Sequence, residues 1–280
     1  MKKPAIVMQT DFGKGISVCT MQGVCRMIDP ELEVFDNTHE IRNFNTYEAS
    51  FSLDYVVDFW PVGTVFISVV DPGVGTDRRA CVAKLKNGSY VVTPDNGTLT
   101  HVKERIGIDE VRIIDESVNR LKSTEKCSIF HGRDLFAYCG AKLAAGIITY
   151  EEVGPEYSVD EIVIHETIPY EVKDNIITGM IGSSDAHFGL ICSNIPAEVF
   201  EEEHIEFGDM VGVKILRAGT DTPIFEDSVR YCKAFGDVEE GAPLLMISET
   251  LEIQIALNLR NMSEEYGIEA GTDWTIEITK

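Results

Sequence analysis

No Cys-x-x-Cys pair occurs in this sequence, although it holds seven cysteines, at positions 19, 25, 81, 127, 139, 192 and 232. Without paired spacing a zinc ribbon or a thioredoxin-type site is excluded. The count is odd, and Cys81, Cys139 and Cys192 lie in apolar runs, the pattern of reduced, buried thiols. No apolar run reaches the roughly 18 residues that a membrane span requires. Met1-Lys2-Lys3-Pro4 leads straight into Ala5-Ile6-Val7-Met8 without a signal-type apolar region, so a cytoplasmic location is expected. Basic charge is scarce: 24 Lys and Arg stand against 47 Asp and Glu, a net charge of −23. Such a chain is a poor ligand for nucleic acid or for an anionic membrane surface. The acidity reads either as attraction of a cationic substrate or simply as a soluble surface. No His, Asp or Glu spacing suggests a metal site. No Gly-Lys-Ser/Thr ending is present, which excludes a Walker A loop. Internal repeats and low-complexity tracts are also missing.

What is present is enough apolar sequence, 44% of 280 residues, for a sizeable core. Over the first 150 or so residues strand-like and helix-like runs alternate. Ala5–Met8, Glu33–Phe35, Val65–Val70, Ala80–Leu85 and Tyr90–Thr93 read as strands. Residues 16–28 show helical spacing, with Ile16, Cys19, Gly23 and Met27 near one face; Tyr47–Trp60 does so through Phe51, Tyr55, Val56 and Phe59, and Leu135–Ile148 is a third helix. This alternation predicts an α/β N-terminal domain, residues 1–165, with a mostly parallel sheet. Glu166–Asp174 reads as a linker. Beyond it Ile176–Ile181, Glu198–Phe200, Met210–Ile215, Leu244–Met246, Leu251–Leu257 and Trp274–Ile278 are short β-type runs, and Asn261–Gly267 reads as one short helix. They predict a smaller β-rich, antiparallel, barrel-like domain over residues 175–280.

Four polar segments follow strands of the first half, where open α/β sheets place reactive groups. Thr10-Asp11-Phe12-Gly13 offers a carboxylate able to take both hydroxyls of a ribose, or is an ordinary strand-end turn. Asp71-Pro72-Gly73-Val74-Gly75-Thr76-Asp77-Arg78-Arg79 offers an acid beside guanidinium groups, a structural ion pair or a catalytic one. Pro94-Asp95-Asn96-Gly97 is a type I′ hairpin turn or a substrate-lining loop. His131-Gly132-Arg133-Asp134 opens a helix; its imidazole suits proton transfer near neutral pH, while Arg133 and Asp134 read as a pair or a cap. In the second half, Asp185, Phe188-Gly189 and Asn194 sit in a glycine-rich turn region, and Phe235 could stack on a flat heterocycle or be core.

Together these segments, in this order and spacing, resemble the S-adenosyl-L-methionine (SAM) hydrolase family, also called SAM hydroxide adenosyltransferases, whose relatives are the fluorinase and chlorinase. The resemblance covers most of residues 5–150 and is looser beyond. It implies an α/β domain, a β-rich domain and a homotrimer whose sites lie between subunits. It also implies metal-free attack of water on ribose C5′ of SAM, which is the substrate rather than a cofactor. The implied catalytic residues are Asp71, Arg78 and His131. The implied substrate-binding residues are Asp11 at the ribose, Phe44 near the adenosine pocket, Phe235 on adenine, and Asp95, Asn96, Asp185, Phe188, Ser248 and Asn258. Because a sulfonium already leaves well, the enzyme need only align and dehydrate the nucleophile.

The resemblance also separates hydrolase from halogenase. Halogenases carry Tyr in place of the family Asp and His, and a Ser beside the latter for the halide. Here those positions are Asp71, His131 and Gly132, and a carboxylate in a dry site repels a halide. The chain departs from the family at Leu190, where Asn is usual, and at Ser248-Glu249-Thr250, where small or basic residues follow Ser. These departures leave the adenosine half of the site intact and alter the amino-acid half, implying weaker SAM binding or a related substrate such as methylthioadenosine or decarboxylated SAM. A halogenase and a non-catalytic SAM or adenosine sensor are the alternatives.

Overall fold

Largely apolar runs rich in β-branched residues make strands that are buried on both faces, and that is how the middle of the first sheet is built. The computed structural model describes residues 3–280 apart from 125, 186 and 221. The chain divides between His165 and Glu166 into two units. The strands of the first are β1 (Ile6–Thr10), β2 (Val34–Thr38), β3 (Val65–Val69), β4 (Ala80–Leu85), β5 (Tyr90–Pro94), β6 (Ile108–Ile113) and β7 (Glu156–Tyr157), in the order β2-β1-β3-β5-β4-β6-β7. The β2-β1-β3-β5 pairings are parallel, and β4, β6 and β7 extend the sheet antiparallel.

Alternating residues of each strand feed two cores. Ile6, Met8, Val65, Ile67 and Val69 face α1 (Ile16–Ile28) and α5 (Tyr138–Ala144). Val7, Phe66 and Val91 face α2 (Thr46–Val57) and α3 (Thr100–Arg105). The short α4 (Glu116–Asn119) precedes a π-helical turn, Gly132–Ala137, which runs into α5. The buried stripe of α1 is Val18, Met21, Val24 and Cys25; the expected face fails, because Ile16, Cys19, Gly23 and Met27 are exposed. On α2 the buried residues are Tyr47, Ala49, Ser50, Leu53 and Val57, while Phe59 is exposed. Both helices have apolar residues on two sides, and the sheet selects one.

In the second unit β9 (Ile176–Ser184), β10 (Ile191–Pro196), β11 (Met210–Arg217), β12 (Phe225–Tyr231), β13 (Pro243–Ile247), β14 (Glu252–Leu257) and β15 (Gly271–Thr279) close into a ring, because β10 pairs with both β14 and β9. Closure leaves no free edge among these seven strands and encloses Ile181, Ile191, Val213, Ile215, Leu245, Ile255 and Ile276. A further strand, β8 (Glu171–Lys173), pairs outside the ring with β9 through Asp174 and Asn175, both left-handed with φ of 52° and 66°. The stretch expected as a linker therefore contributes a strand. Glu198–Phe200, expected as a strand, lies in α6 (Glu198–Glu202), and Asn261 caps α7 (Met262–Tyr266). All seven cysteines are free, and burial pushes Cys25, Cys81, Cys139 and Cys192 up to about 12. Among the described residues no helix is long and apolar enough to cross a membrane.

Candidate active site

Parallel β1, β3 and β5 lie side by side, so their C-terminal ends share one edge of the sheet. The segments that follow them, at Asp11, Asp71 and Asn96, therefore emerge together. After β3 the chain makes tight turns: Val74 N–H donates to Asp71 O and Thr76 N–H to Gly73 O, and Gly75 takes φ 78°. These turns bring Arg78 back onto Asp71. Arg78 Nε donates to Asp71 Oδ1 at 2.9 Å and Nη2 to Oδ2 at 2.5 Å, a bidentate pair with side chains only 10% and 6% exposed.

The third member comes from the far side of the sequence. His131 begins the π-helical turn, a geometry found preferentially at functional sites. Its Nδ1 lies 2.9 Å from Arg78 Nη2, so one guanidinium joins the acid to the imidazole. A guanidinium only donates, so Nδ1 accepts, and the neutral ring carries its proton on Nε2. That nitrogen is buried and has no hydrogen-bond partner among the described residues. Burial first, and then the Arg78 charge, push the His131 pKa below the usual imidazole value.

The adjoining residues explain the motif around this histidine. A Cβ on Gly132 would come within 3.1 Å of the Phe12 ring and 3.2 Å of the Phe130 ring, which themselves meet edge to face at 5.8 Å. Arg133 and Asp134 pair with each other, Nε to Oδ1 at 2.6 Å. At the end of β1, Asp11 Oδ2 accepts from Phe44 N–H at 2.9 Å. Phe44 is 68% exposed and left-handed, with φ 68°, a conformation that costs a non-glycine residue about 1 kcal/mol or more.

Several of the other expected site residues also make contacts within their own unit. Pro94–Gly97 is no hairpin: it leads from β5 toward α3. The Asp95 carboxylate accepts from Arg79 Nε at 2.8 Å, Tyr157 O–H at 3.0 Å and Val163 N–H at 2.9 Å, so it anchors the 157–163 segment. Asn96 Nδ2 donates to Val70 O at 2.9 Å and ties the ends of β3 and β5 together. In the second unit, Asp185 Oδ1 accepts from the backbone N–H groups of His187 and Phe188 and shapes that turn, leaving Phe188 exposed. Phe235 is partly exposed at the start of a short 3₁₀ turn. Ser248 closes the β13–β14 turn through Glu252 N–H. Asn258 is buried and donates to Val238 O at 2.9 Å. Leu190 packs with Cys232, Leu244, Met246, Ala256 and Val238 rather than offering a polar group. Among the described residues no three His, Cys, Asp or Glu side chains gather as metal ligands.

Sequence reasoning missed His39, which is almost wholly buried beneath the Thr10–Gly13 turn; nothing in its local sequence distinguishes it.

The class these features define is an α/β domain with an acid–guanidinium–imidazole set at its strand ends, followed by a closed β-barrel domain. The model for the SAM hydroxide adenosyltransferase N-terminal domain matches residues 6–154, and that for the corresponding C-terminal domain matches residues 179–275. The chain belongs to the SAM hydroxide adenosyltransferase family. It is 36% identical to the (R)-S-adenosyl-L-methionine hydrolase of Methanocaldococcus jannaschii over 143 residues, a match covering 49% of this chain and 52% of that protein. It is 28% identical to the enzyme of the same name from Salinispora tropica over 277 residues, 96% of this chain and 95% of that protein. It is also 28% identical to a fluorinase of an Actinoplanes species, over 99% of this chain and 98% of that one. The crystal structure of an uncharacterized conserved protein from Thermotoga maritima shares the fold with a TM-score of 0.84 at 36% identity, over 98% of this chain and all of that one (100%).

Proposed function

We propose that this chain hydrolyses SAM to adenosine and L-methionine by attack of water on ribose C5′. The observation that carries the reading is the convergence of Asp71, Arg78 and His131 on one buried contact set, in a chain similar to proteins named SAM hydrolases.

In this reading a C5′–O bond forms as the C5′–S bond breaks. The bonding pair goes to sulfur, which neutralises the sulfonium, and water loses one proton. The residues divide the work by their protonation. His131 Nε2–H is a buried donor without a partner among the described residues, suited to holding the attacking oxygen. With Nδ1 accepting from Arg78, the imidazole has no free lone pair to take the water's proton. The acceptor is Asp71, whose carboxylate keeps a free lone-pair direction beside its bonds to Arg78. Arg78 stabilises the developing hydroxide by its charge. Asp11 takes the ribose hydroxyls and Phe44 supplies apolar surface beside it, while in the proposed homotrimer Phe188 and Phe235 of a neighbouring subunit face the nucleoside. Gly132 argues against halide transfer, because the Phe12 and Phe130 rings occupy the space a serine there would need. The family homotrimer, sites shared between subunits and a cytoplasmic location belong to the same proposal.

One observation favours a second substrate. Leu190 is absorbed in an apolar cluster, and the β13–β14 turn carries Glu249, so the amino-acid end of the ligand meets less complementary chemistry. A kcat/KM for decarboxylated SAM above that for SAM would establish that preference.

The test of the main reading is incubation of the purified chain with SAM, with and without chloride, followed by separation of products. Equal molar adenosine and methionine, unaffected by chloride and lost in His131→Ala, is the expected result. A 5′-chlorinated nucleoside, or SAM recovered intact, would overturn it.

A further inference from the structure

We propose that His39 is a positioning residue for the active site, holding the turn that carries Asp11 and Phe12; the inference rests on the function proposed above. His39 grips this turn at both ends. Its backbone oxygen accepts from Gly13 N–H at 2.7 Å, and its Nδ1 lies 2.9 Å from Thr10 Oγ1. Thr10 Oγ1 also accepts from Phe12 N–H at 3.2 Å. On its other side His39 Nε2 lies 3.1 Å from Asp36 Oδ1, a close approach rather than an aligned hydrogen bond. Asp36 is itself fixed from α1, where Gln22 Nε2 donates to the same oxygen at 2.8 Å.

The proton positions follow from these partners. A carboxylate opposite Nε2 calls for N–H there; with Nδ1 accepting, Thr10 donates its hydroxyl proton. The hydroxyl is then fully oriented: it gives to His39 and receives from Phe12 N–H. One acid–imidazole–hydroxyl chain thereby sets the path of residues 10–13.

What that turn carries makes the placement matter. Asp11 follows Thr10 directly and reaches Phe44 N–H with one oxygen. Phe12 lays its ring against Phe130 and over Gly132, the two residues that flank His131. A shift of the turn therefore moves a ribose-binding carboxylate and loosens the packing beside the catalytic imidazole. Because a misplacement of about 1 Å can cost about a hundredfold in rate, His39 acts on both binding and chemistry without touching substrate.

The experiment compares wild type, His39→Ala, His39→Asn and Thr10→Val, each checked for folding by thermal denaturation. Calorimetry measures the affinities for adenosine and for 2′,3′-dideoxyadenosine. Hydrogen exchange follows the Phe12 and Gly13 amides, and kinetics separates kcat from KM for SAM. Expected are a loss of about tenfold in adenosine affinity in His39→Ala and Thr10→Val with little change for the dideoxy analogue, partial recovery in His39→Asn, and faster exchange at the two amides. Equal weakening of both nucleosides, or unchanged exchange, would overturn the positioning role. A wild-type protein that neither binds adenosine nor turns over SAM would sink the functional reading instead; the amide exchange alone then decides whether His39 holds the turn.

Discussion

Nδ1 of His131 lies 2.9 Å from Nη2 of Arg78, and this contact decides where the imidazole keeps its proton. The same guanidinium is forked onto Asp71, so the acid and the imidazole are joined only through a group that never gives up its charge. The arrangement favours a neutral His131, and in the proposed reaction Asp71 is the base.

Replacement of Arg78 by Met removes the second-largest influence depressing His131, while Asp71 remains nearby to favour the imidazolium. His131 is therefore expected to titrate at higher pH in Arg78→Met than in wild type, as followed by NMR of its ring carbons. Activity is expected to fall by about 10²-fold or more. An unchanged or lower His131 midpoint would refute the bridging role.

Asp95→Asn distinguishes an anchor from a ligand contact. Loss of the carboxylate weakens the acceptor shared by Arg79 Nε, Tyr157 O–H and Val163 N–H, which costs about 1–3 kcal/mol. Denaturant midpoints should show that loss, while KM for SAM in the folded fraction stays within about twofold of wild type. A large rise in KM with intact stability would return Asp95 to the binding site.

Gly132→Ser tests the crowding around the imidazole. With two rings at 3.1 and 3.2 Å from the new Cβ, overpacking should cost about 1–3 kcal/mol and lower turnover. No chlorinated product is expected. A stable variant of full activity would show that the rings yield.

A second histidine predicts acid sensitivity. His101 sits against Ser50, Tyr47, Phe51 and His165, and burial, followed by the charge of His165, lowers its pKa to about 4. Below the unfolded value of about 6.5 the unfolded chain takes up a proton that the native one refuses. The native state therefore loses stability as pH falls from about 6.5 toward 4, by roughly 2 kcal/mol between pH 7.5 and 5 from this group alone. Denaturant midpoints of wild type and His101→Asn across that range should converge on acidification; parallel curves would contradict the account.

Most of what places the candidate site was legible in the sequence. β1, β3, β4 and β5 are largely apolar runs, and the polar segments after β1, β3 and β5 mark the candidate edge because parallel neighbours end together. The exposed stripe Ile16–Met27 was not separable from the buried one, since only the sheet chooses between two apolar faces. Strand β12 was hidden because Glu226, Asp227, Ser228 and Arg230 dilute its apolar residues, and closure of the barrel rather than composition makes it a strand. His39 and the partners of Asp95 were invisible for another reason: their contacts span dozens of positions in the chain and leave no local spacing to read.

The most direct test of the central claim is turnover of SAM in water enriched in heavy oxygen, with mass analysis of the adenosine. One heavy oxygen is expected in the 5′-hydroxyl, with one methionine per adenosine, and both are lost in Asp71→Asn as well as His131→Ala. Adenosine without label, or full activity in Asp71→Asn, would contradict that claim.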